Sequence, residues 1–292
     1  MSTTTPTTTT ASGRATASMR SPARAVRLGG VRVAYEVRQY FRQRDTLFFT
    51  FLFPTLIFVI FAAAFSASGD VGGAADGSGA ISVAAYYLPG LVAAGVVLSG
   101  IQNLGIDIAQ ERSDGTLKRL GGSPLPVVSY FIGKAGMVLA TAVAQLALLL
   151  AVAAVGFGVA LPSDGEHWLR FAWVFLLSIA MAVVVGIAIS GLPRTGRSAS
   201  AVIVPVLLVL QFVSGVYFRF TDLPDWLQGI ASLFPLKWVA QGMRSAFLPE
   251  RFAAVEQTGT WDLGTTALVL AGWTLAGLVL ARITFRWVRR DA

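Results

Sequence analysis

The chain has 292 residues, of which 55% are hydrophobic and 13% charged, and its mean hydropathy is +0.68. Soluble globular chains carry about 25% charged residues, so this balance marks a membrane protein. No cysteine is present, which excludes disulfides and thiolate chemistry. The net charge of +8 sits on arginines that flank apolar runs and form no patch interleaved with aromatics, which excludes nucleic acid as a partner.

Residues 1–28 form a Thr-, Ser- and Ala-rich tail that buries too little apolar area to order itself. The first apolar run begins near Leu47, too far along for a cleavable signal peptide. Residues 29–45 read as an amphipathic interfacial helix. Val33, Ala34, Val37, Tyr40 and Phe41 share one face, with Arg32, Glu36, Arg38, Gln39 and Arg42 on the other. An arginine-rich face backed by aromatics suits a helix lying along a leaflet just before a span.

Residues 46–286 read as a six-helix transmembrane domain, and 287–292 as a short tail. Apolar runs of the length a bilayer requires cover about 47–67, 85–106, 136–161, 171–192, 199–216 and 263–283. Backbone hydrogen bonding in lipid leaves helix as their only sensible form, so the fold class is an all-α polytopic membrane protein. Between the second and third runs lies a charged island from Asp107 to Lys134. It reads as a helix-turn-helix in water, available to a soluble partner. After the fifth run, Leu236, Val239, Ala240, Met243 and Phe247 recur at helical spacing opposite Lys237, Gln241, Arg244 and Ser245. Trp226, Leu227, Ile230 and Leu233 mark a shorter helix before them. Two amphipathic helices on or in the outer leaflet are expected there.

Eighteen of the 23 Lys and Arg residues fall on the side of the termini and the island, and five on the other. The positive-inside rule puts both termini and the island in the cytoplasm of a multi-pass protein of the cell membrane.

Candidates for chemistry are few. His167 is the only histidine, so neither a histidine metal site nor a Ser-His-Asp arrangement has its parts, and no catalytic residue or metal ligand is assigned. No G-x-x-x-x-G-K-[ST] loop is present, so the chain cradles no nucleotide of its own. The apolar runs hold no Asp, Glu, Lys or Arg at mid-depth, where ion-coupled carriers place one. Gln145, Gln211, Gln102 and Asn103 read as interhelical hydrogen-bond partners. Gly90, Gly95, Gly100 and Gly105 recur every five residues, which rotates around a helix and suggests close packing. Uphill transport would need energy from outside, received through the island.

The island resembles the cytoplasmic loop of type-2 ATP-binding-cassette (ABC) permeases, the drug and glycolipid exporter branch that includes the daunorubicin-resistance permeases. The residues that carry the resemblance are Glu111-Arg112, Gly115-Thr116-Leu117, Leu120, Ser123-Pro124-Leu125 and Gly133-Lys134, with a Pro-led helix from Pro235 through Met243 and Arg244. Gly121-Gly122 stands where that family has bulkier residues.

The resemblance implies a permease subunit that exports an amphipathic drug or lipid-like compound, itself not an enzyme. ATP and magnesium would sit on a separate ABC ATPase subunit, and two permeases would pair, as a homodimer or with a different partner. Coupling would run through Glu111, Arg112, Gly115, Thr116, Leu117, Leu120, Pro124 and Leu125. Glu111 and Arg112 would form ion pairs, Gly115 and Thr116 the turn and cap, and the leucines would enter a cleft on the ATPase. Arg38, Phe41 and Arg42 would anchor the interfacial helix. Gln102, Asn103, Gln211 and Phe212, on spans two and five, would line a substrate path. A glycolipid or polysaccharide exporter and a non-transporting membrane sensor or scaffold are the alternatives.

Overall fold

The computed structural model describes residues 22–66, 69–72 and 79–285. Of the tail expected over residues 1–28, residues 1–21 lie outside the described residues, as does the C-terminal tail 287–292. Among the described residues six helices are long and apolar enough to cross a membrane: α2 (Arg44–Phe65), α3 (Val83–Ser113), α5 (Val127–Gly156), α6 (Gly165–Ile189), α7 (Gly196–Val213) and α10 (Leu263–Thr284). α1 (Pro22–Tyr40) precedes them, and α4 (Thr116–Gly121) joins α3 to α5. α8 (Asp225–Ala231) and α9 (Pro235–Phe247) lie between α7 and α10. Among the described residues extended pairing is confined to one bridge, Val71 with Ile81.

Two helices outrun the apolar runs that announce them. α3 continues to Ser113 and α5 begins at Val127, so Asp107, Glu111 and Lys134 are helical. Hydropathy marks only the stretch that tolerates hydrocarbon. The charged turns beyond it stay helical because they pair with one another. Local capping follows ordinary rules. The Ser82 and Asp164 side chains accept the amide hydrogens of Ala85 and His167, and Thr195 with Ser198 forms a capping box.

Glycines set the closest crossings. A Cβ on Gly186 would collide with the carbonyl oxygen of Gly100, and one on Gly100 would sit 2.5 Å from the Ala182 side chain, so α3 and α6 cross backbone to backbone. Lipid offers no hydrophobic drive to helix association, and such close contact supplies dispersion in its place. Gly90 and Gly95 meet different neighbours, the Val216 carbonyl and the Gln145 side chain, as a series that rotates around α3 must.

Two expectations change. The tail was expected to reach residue 28, but α1 begins at Pro22. α1 also does not rest on lipid by its Val33-Tyr40 face alone. It packs along α5, with Gly29, Glu36 and Tyr40 buried. A Cβ on Gly29 would stand 2.7 Å from Ile132, and Cβ atoms on Gly133 and Gly136 would collide with Arg32 and Val33. The other change concerns α9, expected at the outer leaflet. Every residue from Pro235 to Ala246 is buried, its polar face as well as its apolar one, among α3, α6 and α10. Periodicity reports that a helix has a polar face and does not say whether water, headgroups or protein satisfies it. Here protein does. Arg244 makes a two-pronged pair with Glu256 (2.5 and 3.0 Å) and donates to the Gly215 carbonyl (3.0 Å), while Gln241 donates to the Trp261 carbonyl (2.7 Å). Met243 is fully buried beside them.

Candidate functional site: an ionic knot and the cavity beside it

The last turns of α3, the first turns of α5 and the middle of α1 converge on one ammonium. Lys134 is 0% exposed, and its Nζ donates to Asp107 Oδ2 (2.5 Å), Glu111 Oε1 (2.8 Å) and Glu36 Oε2 (3.0 Å). An ammonium has three donors, and all three are used. Tyr130 donates its hydroxyl to the other oxygen of Glu111 (2.7 Å), and Arg32 pairs with Glu36 (2.6 Å) over the Tyr35 ring. The three carboxylates have oxygens within 4.8 Å of one another, the spacing of a divalent-cation cage, and the lysine takes the cation's place. Three helices are tied at one point, and removing the lysine would leave buried carboxylates facing each other.

The sequence marks Glu111 and Lys134 through the island's motif; Asp107 and Tyr130 lie in the same island and Glu36 on the polar face of the first helix, but none of the three is given a role. Glu36 reads as one more polar residue on a solvated face. Its spacing from Gly29, with Arg32 and Val33 between, is the signal that could have found it, because that row faces Gly133 and Gly136 on α5.

Beyond the knot, Arg112 reaches the carbonyl of Ser190 at the C-terminal end of α6, where a cation meets unpaired carbonyls and the negative end of the helix dipole. Asp114 and Gly115 then turn the chain. Gly115 has φ +78°, a left-handed conformation that favours glycine. Gly115 is itself the N-cap residue of α4, and Asp114 Oδ1, just before it, accepts the Thr116 amide hydrogen (2.9 Å). The Thr116 hydroxyl receives the Arg119 guanidinium from the next turn (2.9 Å).

Leu117 is 1% exposed and belongs to this chain's own core, which removes it from any partner's cleft. Leu120 and Leu125 are half-buried against that core. The outward surface of the turn is made of Lys118, Arg119 and residues 121–124, including Pro124. Arg38, Phe41 and Arg42 are exposed at the end of α1, with Phe41 against Phe51.

A cavity of about 780 Å³ opens beside the knot, walled by α1, α2, α3 and α7. Gln102, Asn103, Gln211 and Phe212 all line it. One end reaches Glu36 and Asp107, so two carboxylates of the knot are also wall. The walls are shaped by two wide helical turns, Phe48–Leu52 in α2 and Leu98–Asn103 in α3. Such π-type turns insert a residue into the ladder and re-aim side chains. Where they meet, Asn103 donates to Thr50 (2.9 Å) and Tyr40 (3.2 Å), whose hydroxyls lie 2.6 Å apart. Farther along, Tyr217 donates to Gln211 (2.7 Å). Gln145 is buried away from the cavity, with Ser99 donating to it at 3.5 Å.

Residues 31–248 match the model of the ABC-2 type transporter family. The chain is similar to the probable multidrug ABC transporter permease YbhR of Escherichia coli strain K12, 24% identical over 178 residues, which is 61% of this chain and 48% of that protein. It is also similar to the inner membrane transport permease YadH of the same strain, 24% identical over 195 residues (66% of this chain, 72% of that one). A third relative, ABC transporter G family member 20 of Dictyostelium discoideum, is 26% identical over 170 residues, 56% of this chain and 22% of that protein. The match thus spans about half the length of YbhR and less of the Dictyostelium protein.

Proposed function

Because the chain is a multi-pass membrane protein of the ABC-2 type transporter family, we propose that it is a permease subunit that moves an amphipathic, drug- or lipid-like molecule outward, driven by ATP hydrolysed on a separate subunit. In this reading both termini and the α3–α5 turn face the cytoplasm, in keeping with eighteen of 23 basic residues on that side. Two copies, or this chain and a related one, pair around the cavity side.

The observation that carries the reading is the shared wall between turn and cavity. Glu36 and Asp107 hold Lys134 and also border the cavity, and the knot ties the turn to α1, α3 and α5. A push on Lys118, Arg119 and the adjoining turn is therefore delivered to rigid helices and reaches the cavity without a flexible link. The relatives' names, multidrug permease and transport permease, support the class. A volume of about 780 Å³ is that of a small-molecule site, within the ~300–1,000 Å³ usual for one, and favours a compact amphiphile over a glycan chain.

The test is purification of the tagged full chain from native membranes, followed by ATP-dependent uptake of a fluorescent amphiphile into inside-out vesicles. We expect a nucleotide-hydrolysing subunit with a phosphate-cradling loop to co-purify. Uptake should be lost in Glu111→Ala while membrane insertion is retained. Solute movement by the chain alone in proteoliposomes, with no ATPase present, sinks the reading.

A further inference from the structure

Among the described residues, the charged ones that line the cavity are Glu36, Asp45 and Asp107, all acidic, with no lysine or arginine. Two of them are already spent, since Glu36 and Asp107 hold Lys134. Asp45 is different. It is exposed at the start of α2, and among the described residues it has no ion pair. Its neighbour Thr46 also lines the cavity, and the Thr46 hydroxyl is turned to Gln43 (3.1 Å).

Beyond this acidic rim the wall is apolar and aromatic, with Phe49, Phe53, Phe61, Phe212 and Tyr217 among its residues. Aromatic faces carry negative potential and attract cations, more strongly where water is scarce. The amides of the wall add acceptors. Asn103 spends its donor group on Tyr40 and Thr50, which leaves its carbonyl oxygen for a ligand's N–H. A ligand anion would meet the same rim as repulsion, with no basic side chain on the wall to offset it.

Resting on the permease reading above, we infer that this cavity selects an amphipathic organic cation, with the apolar body among the phenylalanines and the positive charge toward Asp45. Asp45 is then a specificity-determining residue. A neutral lipid needs no unpaired carboxylate at the rim, and an anionic one is opposed by it.

Tetraphenylphosphonium and tetraphenylborate have nearly the same shape and opposite charge, so they isolate the effect. The full chain is placed in nanodiscs without nucleotide, and saturable binding of each ion is measured against protein-free nanodiscs. We expect saturable binding of tetraphenylphosphonium, weakened about tenfold by Asp45→Asn and retained by Asp45→Glu, the loss of one charge contact at about 1.4 kcal/mol. Thr46→Lys, which sets a cation on the rim and leaves Asp45 in place, should weaken it to a similar degree. Tetraphenylborate should show no saturable binding to the wild type. Equal tetraphenylphosphonium affinity in wild type and both charge-altering variants, or tetraphenylborate saturating at equal or higher affinity, overturns the inference. Because ATP is absent, these outcomes are independent of coupling. Cation binding by a chain that brings down no ATPase from native membranes and shows no ATP-dependent uptake would sink the permease reading alone, and ATP-driven uptake of a neutral amphiphile without cation binding would sink only the charge selection.

Discussion

At the scale of single residues, Lys134 is the group on which the junction of α1, α3 and α5 depends. It is 0% exposed and touches three carboxylates on two other helices, Glu36 on α1 and Asp107 and Glu111 on α3. Breaking a buried charge network by removing one partner costs about 3–5 kcal/mol, because the remaining charges stay buried and unpaired. Lys134→Met should therefore lower the thermal unfolding temperature in detergent sharply, and far more than removal of the exposed Lys118. An unfolding temperature unchanged in Lys134→Met would show that the carboxylates find other partners. Lys237 poses the opposite problem. It lies outside the six spans, 0% exposed, with no hydrogen-bond acceptor on Nζ and the Trp238 ring 3.5 Å away. Burial pushes its ammonium down to about 8, with Glu256 pulling the other way. The unfolded chain keeps that proton up to the usual 10.5. Between these values the folded protein binds fewer protons than the unfolded one, so stability climbs as pH rises through the window and is flat below it. Thermal unfolding from pH 7 to about 10 should show this slope in the wild type relative to Lys237→Met. Parallel profiles would dismiss it.

At the scale of elements, α4 divides its labour by face. Leu117 points into this chain's core, while Lys118 and Arg119 point out. A buried Leu→Ala change costs about 2–5 kcal/mol, so Leu117→Ala should lower stability and reduce transport only in proportion to folded protein. Lys118→Glu with Arg119→Glu should leave the unfolding temperature in place and abolish ATP-dependent uptake by reversing the charge that meets a partner. Uptake surviving the double reversal would move the docking surface elsewhere. The sequence motif cannot separate these faces. It places Gly115-Thr116-Leu117 together as a unit, whereas in the fold Gly115 supplies the N-cap with a φ of +78°, Asp114 accepts the Thr116 amide hydrogen and Leu117 supplies core. For α9 the same limit appears in reverse. Its amphipathic spacing is plain in the sequence, yet Gln241 and Arg244 are turned inward because the Trp261 carbonyl, Glu256 and the Gly215 carbonyl come to meet them from later and earlier loops, and Lys237 is buried with them against the Trp238 ring.

At the scale of the whole molecule, the two ends are built differently. One end is a knot of side chains that ties α1, α3 and α5, with a cavity beside it. The other end is a buried helix, α9, clamped by a guanidinium-carboxylate pair, with a small apolar cluster of Leu248, Phe252 and Trp261 over it. Between them, α3 and α6 cross at Gly100 and Gly186 with almost no side-chain volume. In packed helices this close, displacement of one drags its neighbours. The proposed push on the α3–α5 turn is thus a movement of a rigid group of helices, and the cavity wall formed by α2 and α7, which keep large exposed apolar faces, is where it finds freedom to open.

What the sequence determined by itself was everything that depends on near neighbours along the chain and on the solvent each stretch demands. That covers six apolar helices, a charged turn between the second and third, an amphipathic helix before the first, and the motif that identified the family. Gln102, Asn103, Gln211 and Phe212 could be named as polar or aromatic residues on two spans, but only the tertiary structure put all four on one cavity wall. It alone decided that Glu36 meets Lys134 across 98 positions of sequence, and that a polar helix face is satisfied by protein. The physical reason is common to these cases. Hydropathy and periodicity record how much a residue prefers water, whereas a buried charge is stabilised by a particular partner, and that partner is fixed by where the helices cross.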